Sequence, residues 1–183
     1  MRDLSRIVTW IAVLVLVAWY VSYGAARLDR LHSRVEGALS VLDAQLVRRA
    51  EATLELANCG ALDAASALIL ASAASDSLEA DTAEHTSREA IESDLTQALE
   101  VALGEVALRH LRADEAVGAP VLQRVADVNQ RVQLARRFLN DAVTDVRRVR
   151  RKPGVRLLRL AGHAELPQTF EIDDELPMLG RGA

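Results

Sequence analysis

The polarity pattern changes character four times along the chain, and each change marks an element. Residues Ile7 to Ala26 carry no charge. At a rise of about 1.5 Å per residue, such a run reaches roughly 30 Å, the thickness of a hydrocarbon core. Trp10 stands near one end and Trp19, Tyr20 and Tyr23 near the other, where interfacial aromatics belong. From there Leu28, Leu31, Val35, Leu39, Leu42, Leu46, Ala50 and Leu54 recur in steps of three or four. This spacing predicts a helix that continues from the apolar run and stops at Asn58-Cys59-Gly60, where Asn and Gly favour the left-handed C-cap conformation.

A second, Ala-rich helix is predicted from Ala61 to about Leu78, with Leu62, Ala65, Leu68, Ile69 and Ser72 on its buried side. Its uncharged centre, Ala64 to Ser75, is too short to span a bilayer. The acidic stretch Asp76 to Glu84 reads as a connection. Thr86-Ser87-Arg88-Glu89 forms a capping box that opens a third helix. Ile91, Leu95, Leu99, Ala102, Val106 and His110 mark its inner face, and it should stop before Gly118-Ala119-Pro120. The fourth helix has the cleanest seam: Val121, Val125, Val128, Val132, Ala135, Leu139, Ala142, Val146 and Val149 alternate steps of four and three. It ends at Arg151-Lys152-Pro153-Gly154. After a short apolar and basic stretch, Val155 to Leu160, the acidic tail is expected to be extended or disordered.

The fold class expected is therefore all-α: an N-terminal transmembrane helix running into an antiparallel up-and-down four-helix bundle. The boundaries are a short segment 1–6, a span 7–26, a bundle 27–160 and a tail 161–183. About 155 residues follow the span, enough for a single domain core. A cleaved signal peptide ending at Gly24-Ala25-Ala26 is the competing reading of the span; its length and late aromatics favour retention.

Composition narrows the chemistry. Of six aromatic residues only Phe138 and Phe170 lie outside the anchor region, which disfavours a base-stacking platform, and no nucleic-acid partner is expected. Cys59 is the sole cysteine, so no internal disulfide forms, and no basic pair or neighbouring His activates it. Facing Glu-x-x-His pairs are absent, and His85, His110 and His163 stand alone. Neither a nucleophile elbow nor a phosphate-cradling glycine loop occurs. No metal, cofactor or enzymatic reaction is expected.

The net charge of −4 hides a division along the chain. Residues 61–130 hold 4 basic and 13 acidic residues, whereas 131–160 hold 10 basic and 2 acidic. Arg147, Arg148, Arg150, Arg151, Lys152, Arg156 and Arg159 form the dense part, a candidate contact for anionic lipid if the fourth helix returns to the membrane. The plain alternative is a solvated helix end whose charges suit the dipole. Arg27, Arg30 and Arg34 after the span outnumber Arg2 and Arg6 before it, which favours the C-terminal side inside.

One block holds Arg34-Val35-Glu36 with Ala38, then Asp43, Gln45, Leu46, Arg48 and Arg49; a second runs from Arg136 to Val143 and reads Arg-Arg-Phe-Leu-Asn-Asp-Ala-Val. Together these two blocks resemble the LemA family of bacterial membrane proteins. The resemblance spans about residues 7–175 and is strong at these blocks. Departures are Leu139 where Tyr is usual, Leu39 where Trp is common, and Thr53-Leu54-Glu55-Leu56 in place of Ile-Pro-Asn-Leu. It implies a divergent member with an N-terminal anchor and a helical bundle outside the bilayer. It also groups Asp43, Arg48, Arg49, Arg136, Arg137, Asn140 and Asp141 as a polar layer, for which a register-fixing role is the first reading and ligand binding the second. The functional expectation is a single-pass anchored module for interaction or scaffolding at the membrane surface, with a protein partner or self-association. An exported ligand-binding or sensory bundle is the alternative.

Overall fold

The computed structural model describes residues 2–80, 85–152, 154–155 and 166–179, with the main chain alone for 2–5, 85 and 86. Five helices follow one another: α1 (Arg2–Asn58), α2 (Ala64–Glu79), α3 (His85–Ala102), α4 (Glu105–Ala113) and α5 (Gly118–Arg150). No strand occurs among the described residues. By its internal packing the chain divides into two units, 1–37 with 140–169, and 38–139 with 170–183.

Helix α1 passes without interruption from the apolar run into the amphipathic one. Its most apolar 18-residue window has a mean hydropathy of 1.9 and none of it is buried. This is one helix long and apolar enough to cross a membrane or to serve as a signal sequence. It ends at Asn58, and Gly60 follows with φ of 78°, a left-handed conformation glycine adopts without a Cβ penalty.

In the first unit, α1 and α5 run antiparallel. Arg34 reaches Asp145 at 3.5 Å, and further along the returning chain Gly154 lies against the Tyr20 ring. Leu28 and Val35 from α1 and Ala142, Val143, Val146, Val149 and Val155 from the returning chain are its buried apolar residues.

The second unit has its own core. Leu56 of α1, Leu70 of α2, Leu99 and Leu103 of α3, Leu108 and Leu111 of α4, and Val125 of α5 form one cluster, joined by Leu176 from the tail. Each of these is at most 7 % exposed. At about 25 cal/mol per Å² of apolar surface, such burial is the main force holding helices of modest propensity together.

Three expectations need correction. The predicted third helix is two helices, because the chain leaves helical geometry at Gly104 (φ −62°, ψ 165°), which caps α4; a mid-helix Gly costs about 1 kcal/mol relative to Ala and tolerates the break. Val106 and His110, assigned to its inner face, are exposed as a result, and Leu108 and Leu111 are buried instead. In α2 the buried side is Leu70, Ala74 and Ser77, while Leu68 and Ile69 face outward. So many alanines leave little contrast between faces, and tertiary contacts choose. Helix α2 also starts later than expected, at Ala64, where Asp63 Oδ1 accepts from the amides of Ala65 and Ser66.

Of the tail, residues 161–165 and 180–183 lie outside the described residues; from Leu166 to Leu176 the chain is neither helix, strand nor turn, and from Phe170 onward it belongs to the second unit. Phe170, Ile172, Asp174 and Leu176 are buried and the residues between them exposed. This period of two is that of a strand, yet it pairs with no other strand among the described residues. Its polar main-chain groups are met by side chains instead.

Candidate functional site

The largest fully buried side chain is a charged one, Arg49. It sits on α1 between Leu46 and Ala50, so the helix that buries those residues carries the guanidinium inward too. A buried charge must be paired and hydrogen-bonded. Arg49 Nη2 donates to Glu92 Oε2 at 2.5 Å and to the Glu92 carbonyl at 2.8 Å; Nη1 donates to Thr96 Oγ1 at 3.2 Å and to Asn129 Oδ1 at 3.5 Å. The second carboxylate oxygen of Glu92 accepts from the Ser77 hydroxyl at 2.7 Å and faces Arg88 Nε at 3.1 Å. Arg88 in turn donates to the Ala80 carbonyl at 2.8 Å. Two guanidinium groups thus share one carboxylate, and α1, α2 and α3 are tied at one point.

The network extends through α5 to the tail. The Thr96 hydroxyl accepts from Arg49 and donates to the Asp173 carbonyl at 2.6 Å. Asn129 and Gln133 both donate to the Asp174 carbonyl, at 2.9 and 2.6 Å. The Asp174 carboxylate is 2 % exposed and takes a two-pronged contact from Arg136, Nε to Oδ2 at 2.6 Å and Nη2 to Oδ1 at 3.0 Å. Along the outer edge, the Glu171 amide donates to Glu89 Oε1 and the Asp173 amide to Ser93 Oγ.

Chemically this arrangement is closed. Glu92 is fully buried and both its oxygens are engaged, so it offers no access for a substrate proton. What the network does is fix register between helices and bind the tail segment. Removing one partner of such a pair leaves an uncompensated buried charge, at a cost of about 3–5 kcal/mol.

The family-motif residues divide between structural fates. Arg49 and Arg136 enter the network. Arg48 is exposed and lines a groove, Asp43 is half-buried on α1, and Arg137 lies exposed on α5. Asn140, half-buried, and Asp141, exposed, belong to the first unit. Sequence reasoning missed Ser77, Arg88, Glu92, Thr96, Asn129 and Asp174. The steps of four joining Arg88, Glu92 and Thr96, beside Leu95 and Leu99, were the available signal for three of them.

In the first unit a run of basic residues closes α5. Arg148, Arg151 and Lys152 at the end of α5 are exposed, Arg147 and Arg150 half-buried, and Arg147 Nε donates to the Pro167 carbonyl at 3.1 Å. Arg156 and Arg159, as well as His163, lie outside the described residues.

Open grooves mark the second unit among the described residues. One of about 520 Å³ between α1 and α5 is lined by Arg48, Arg124 and Arg131 and by Glu51, Glu55 and Asp127. Its charges balance, and Arg124 pairs with Glu55 at 2.6 Å, so it selects no sign of ligand. Another, of about 550 Å³, lies between α5 and the tail near Gln133 and Leu176. A third, of about 310 Å³, carries Asp76, Glu79 and Asp94. Among the described residues no three His, Cys, Asp or Glu side chains converge to hold a metal ion.

Compared with families of known proteins, with curated proteins and with solved structures, the chain finds no match.

Proposed function

We propose that this chain is a single-pass membrane protein whose second unit acts as an interaction or scaffolding module at the membrane surface, through a protein partner or self-association. The observation that carries the reading is the unburied, uncharged run Ile7–Ala26 in a helix that continues directly into packed residues. In water, that much exposed aliphatic and aromatic surface would be an aggregation site; in a bilayer it is matched to its solvent. The closed polar network supports a binding or structural role over catalysis, since its carboxylates are occupied. The likeness of the Arg34–Arg49 and Arg136–Val143 blocks to the LemA family agrees with an anchored helical module.

The bundle lies on the cytoplasmic side in this reading, because basic residues flank the C-terminal end of the span more densely than the N-terminal end. The competing reading is an exported bundle that binds a ligand in the envelope. Cys59, the sole cysteine and half-buried, separates the two. A membrane-impermeant maleimide should leave it unlabelled in intact cells and label it in inverted vesicles. Labelling in intact cells would favour the exported bundle.

A further inference from the structure

We infer that the first unit carries a juxtamembrane collar for anionic phospholipid, built by both helices at the level where α1 leaves the hydrocarbon. This rests on the anchored reading above and names what the anchor's surface end contacts.

Two contacts fix the level. Arg34 on α1 stands opposite Asp145 on α5, and Tyr20 on α1 touches Gly154 on the returning chain. Arg147, Arg148, Arg150, Arg151 and Lys152 fall between those contacts on one strand of the chain, Arg27 and Arg30 on the other. The segments 27–36 and 145–152 together hold eight basic and three acidic residues. Helix dipole complementarity accounts for the arginines in the last turn of α5 but not for Arg27 and Arg30, which lie in the interior of α1. Asp145 is shared by Arg34 and Arg148 at 3.5 and 3.8 Å, both exposed contacts that neutralise little.

The Tyr20 contact adds the second, independent observation. A Cβ at Gly154 would come within 2.5 Å of the Tyr20 hydroxyl, so the returning chain passes close against the end of this side chain. Trp19 and Tyr23 stack beside it with ring centroids 6.0 Å apart. Tyr and Trp settle at the headgroup level, apolar ring inward and polar tip outward. The returning chain therefore arrives at the aromatic belt, and the cations preceding it sit at phosphate depth. Their long stems can lie along apolar surface while the charges meet the phosphates. Within a Debye length of an anionic leaflet such a cluster is attracted to the surface, and the repulsion among its own members is relieved.

The test uses the full chain in bilayers, with Trp10→Phe so that Trp19 is the only tryptophan. Quenching of Trp19 by brominated phosphatidylglycerol is compared with quenching by brominated phosphatidylcholine, each at about 30 mol % in a phosphatidylcholine host. The expected result is an association ratio of about threefold or more in favour of the anionic lipid, falling to near unity in about 1 M NaCl. The same fall is expected in the variant combining R27Q, R30Q, R148Q, R151Q and K152Q. Arg124→Gln with Arg131→Gln, exposed positions of the other unit, should leave the ratio unchanged. Equal quenching by the two lipids in the native chain overturns the collar, as does a preference that survives the five substitutions. A preference erased by inorganic phosphate at constant ionic strength also overturns it, because the site then takes free phosphate. Absence of quenching by either lipid overturns the anchored reading itself.

Discussion

Arg49 donates from one nitrogen, Nη2, to both the side chain and the main-chain carbonyl of Glu92, so a single contact fixes the rotation of α1 against α3 as well as their axial register. Glu92→Ala would leave Arg49 and Arg88 buried without their carboxylate. The expected loss is about 3–5 kcal/mol, read by chemical denaturation of the detergent-solubilised chain. Replacing Arg49, Arg88 and Glu92 together by Met, Met and Leu should recover most of it, since both buried guanidinium groups then leave with the carboxylate they share. A triple variant as unstable as the single one would contradict this.

Asp174 holds the tail by its carboxylate and by its carbonyl. Asp174→Ala removes the two hydrogen bonds from Arg136, a loss of about 2–3 kcal/mol. The amides of Glu171 and Asp173, which donate to Glu89 and Ser93, should then exchange with deuterium sooner, while those in the centre of α5 stay protected. Unchanged exchange at both amides would show that the apolar contacts of Phe170, Ile172 and Leu176 suffice alone.

Asp63 offers a pH-dependent element. The Ser66 side chain, followed by the Ser66 and Ala65 amides, holds its carboxyl below the ordinary value of 3.8. A carboxyl whose pKa is depressed by folding favours the native state above its unfolded pKa, and this is lost as pH falls through the folded value. Asp63→Ala should therefore lower the midpoint of thermal unfolding at neutral pH, and the gap to the native chain should narrow as pH drops below about 4. A gap independent of pH would point to packing in place of the cap.

The seam of α5 allows a fourth stability prediction. Val132 is fully buried, and Val132→Asp places a carboxylate in the apolar seam, cut off from water. The second unit should lose its cooperative unfolding. Unchanged helicity and thermal stability would refute the assignment.

How much of this was legible depended on contrast. In α5 every one of the nine seam positions is buried, because valines and leucines there alternate with charged and amide residues. The stop of α1 at Asn58-Cys59-Gly60 was equally readable, since a left-handed residue is needed and glycine is present. In α2 the alanines gave no gradient, and the buried face was misread. The break at Gly104 was missed because one glycine inside an apolar repeat costs little either way. Of the network, Arg49 and Arg136 were flagged by motif, but Glu92 and Asp174 are acidic residues in acidic stretches, indistinguishable by composition from solvated ones. Only the alternation of Phe170, Ile172 and Leu176 around Asp174 hinted that its side chain turns inward.

The central claim is that α1 is a retained membrane anchor. Its most direct test is alkaline carbonate extraction of membranes from expressing cells, with the intact mass of the chain read in each fraction. The account predicts that the chain stays in the membrane pellet with residues 7–26 still attached. A soluble chain whose mass shows removal of the segment up to about Ala26 would contradict it, and would make the apolar run a signal sequence.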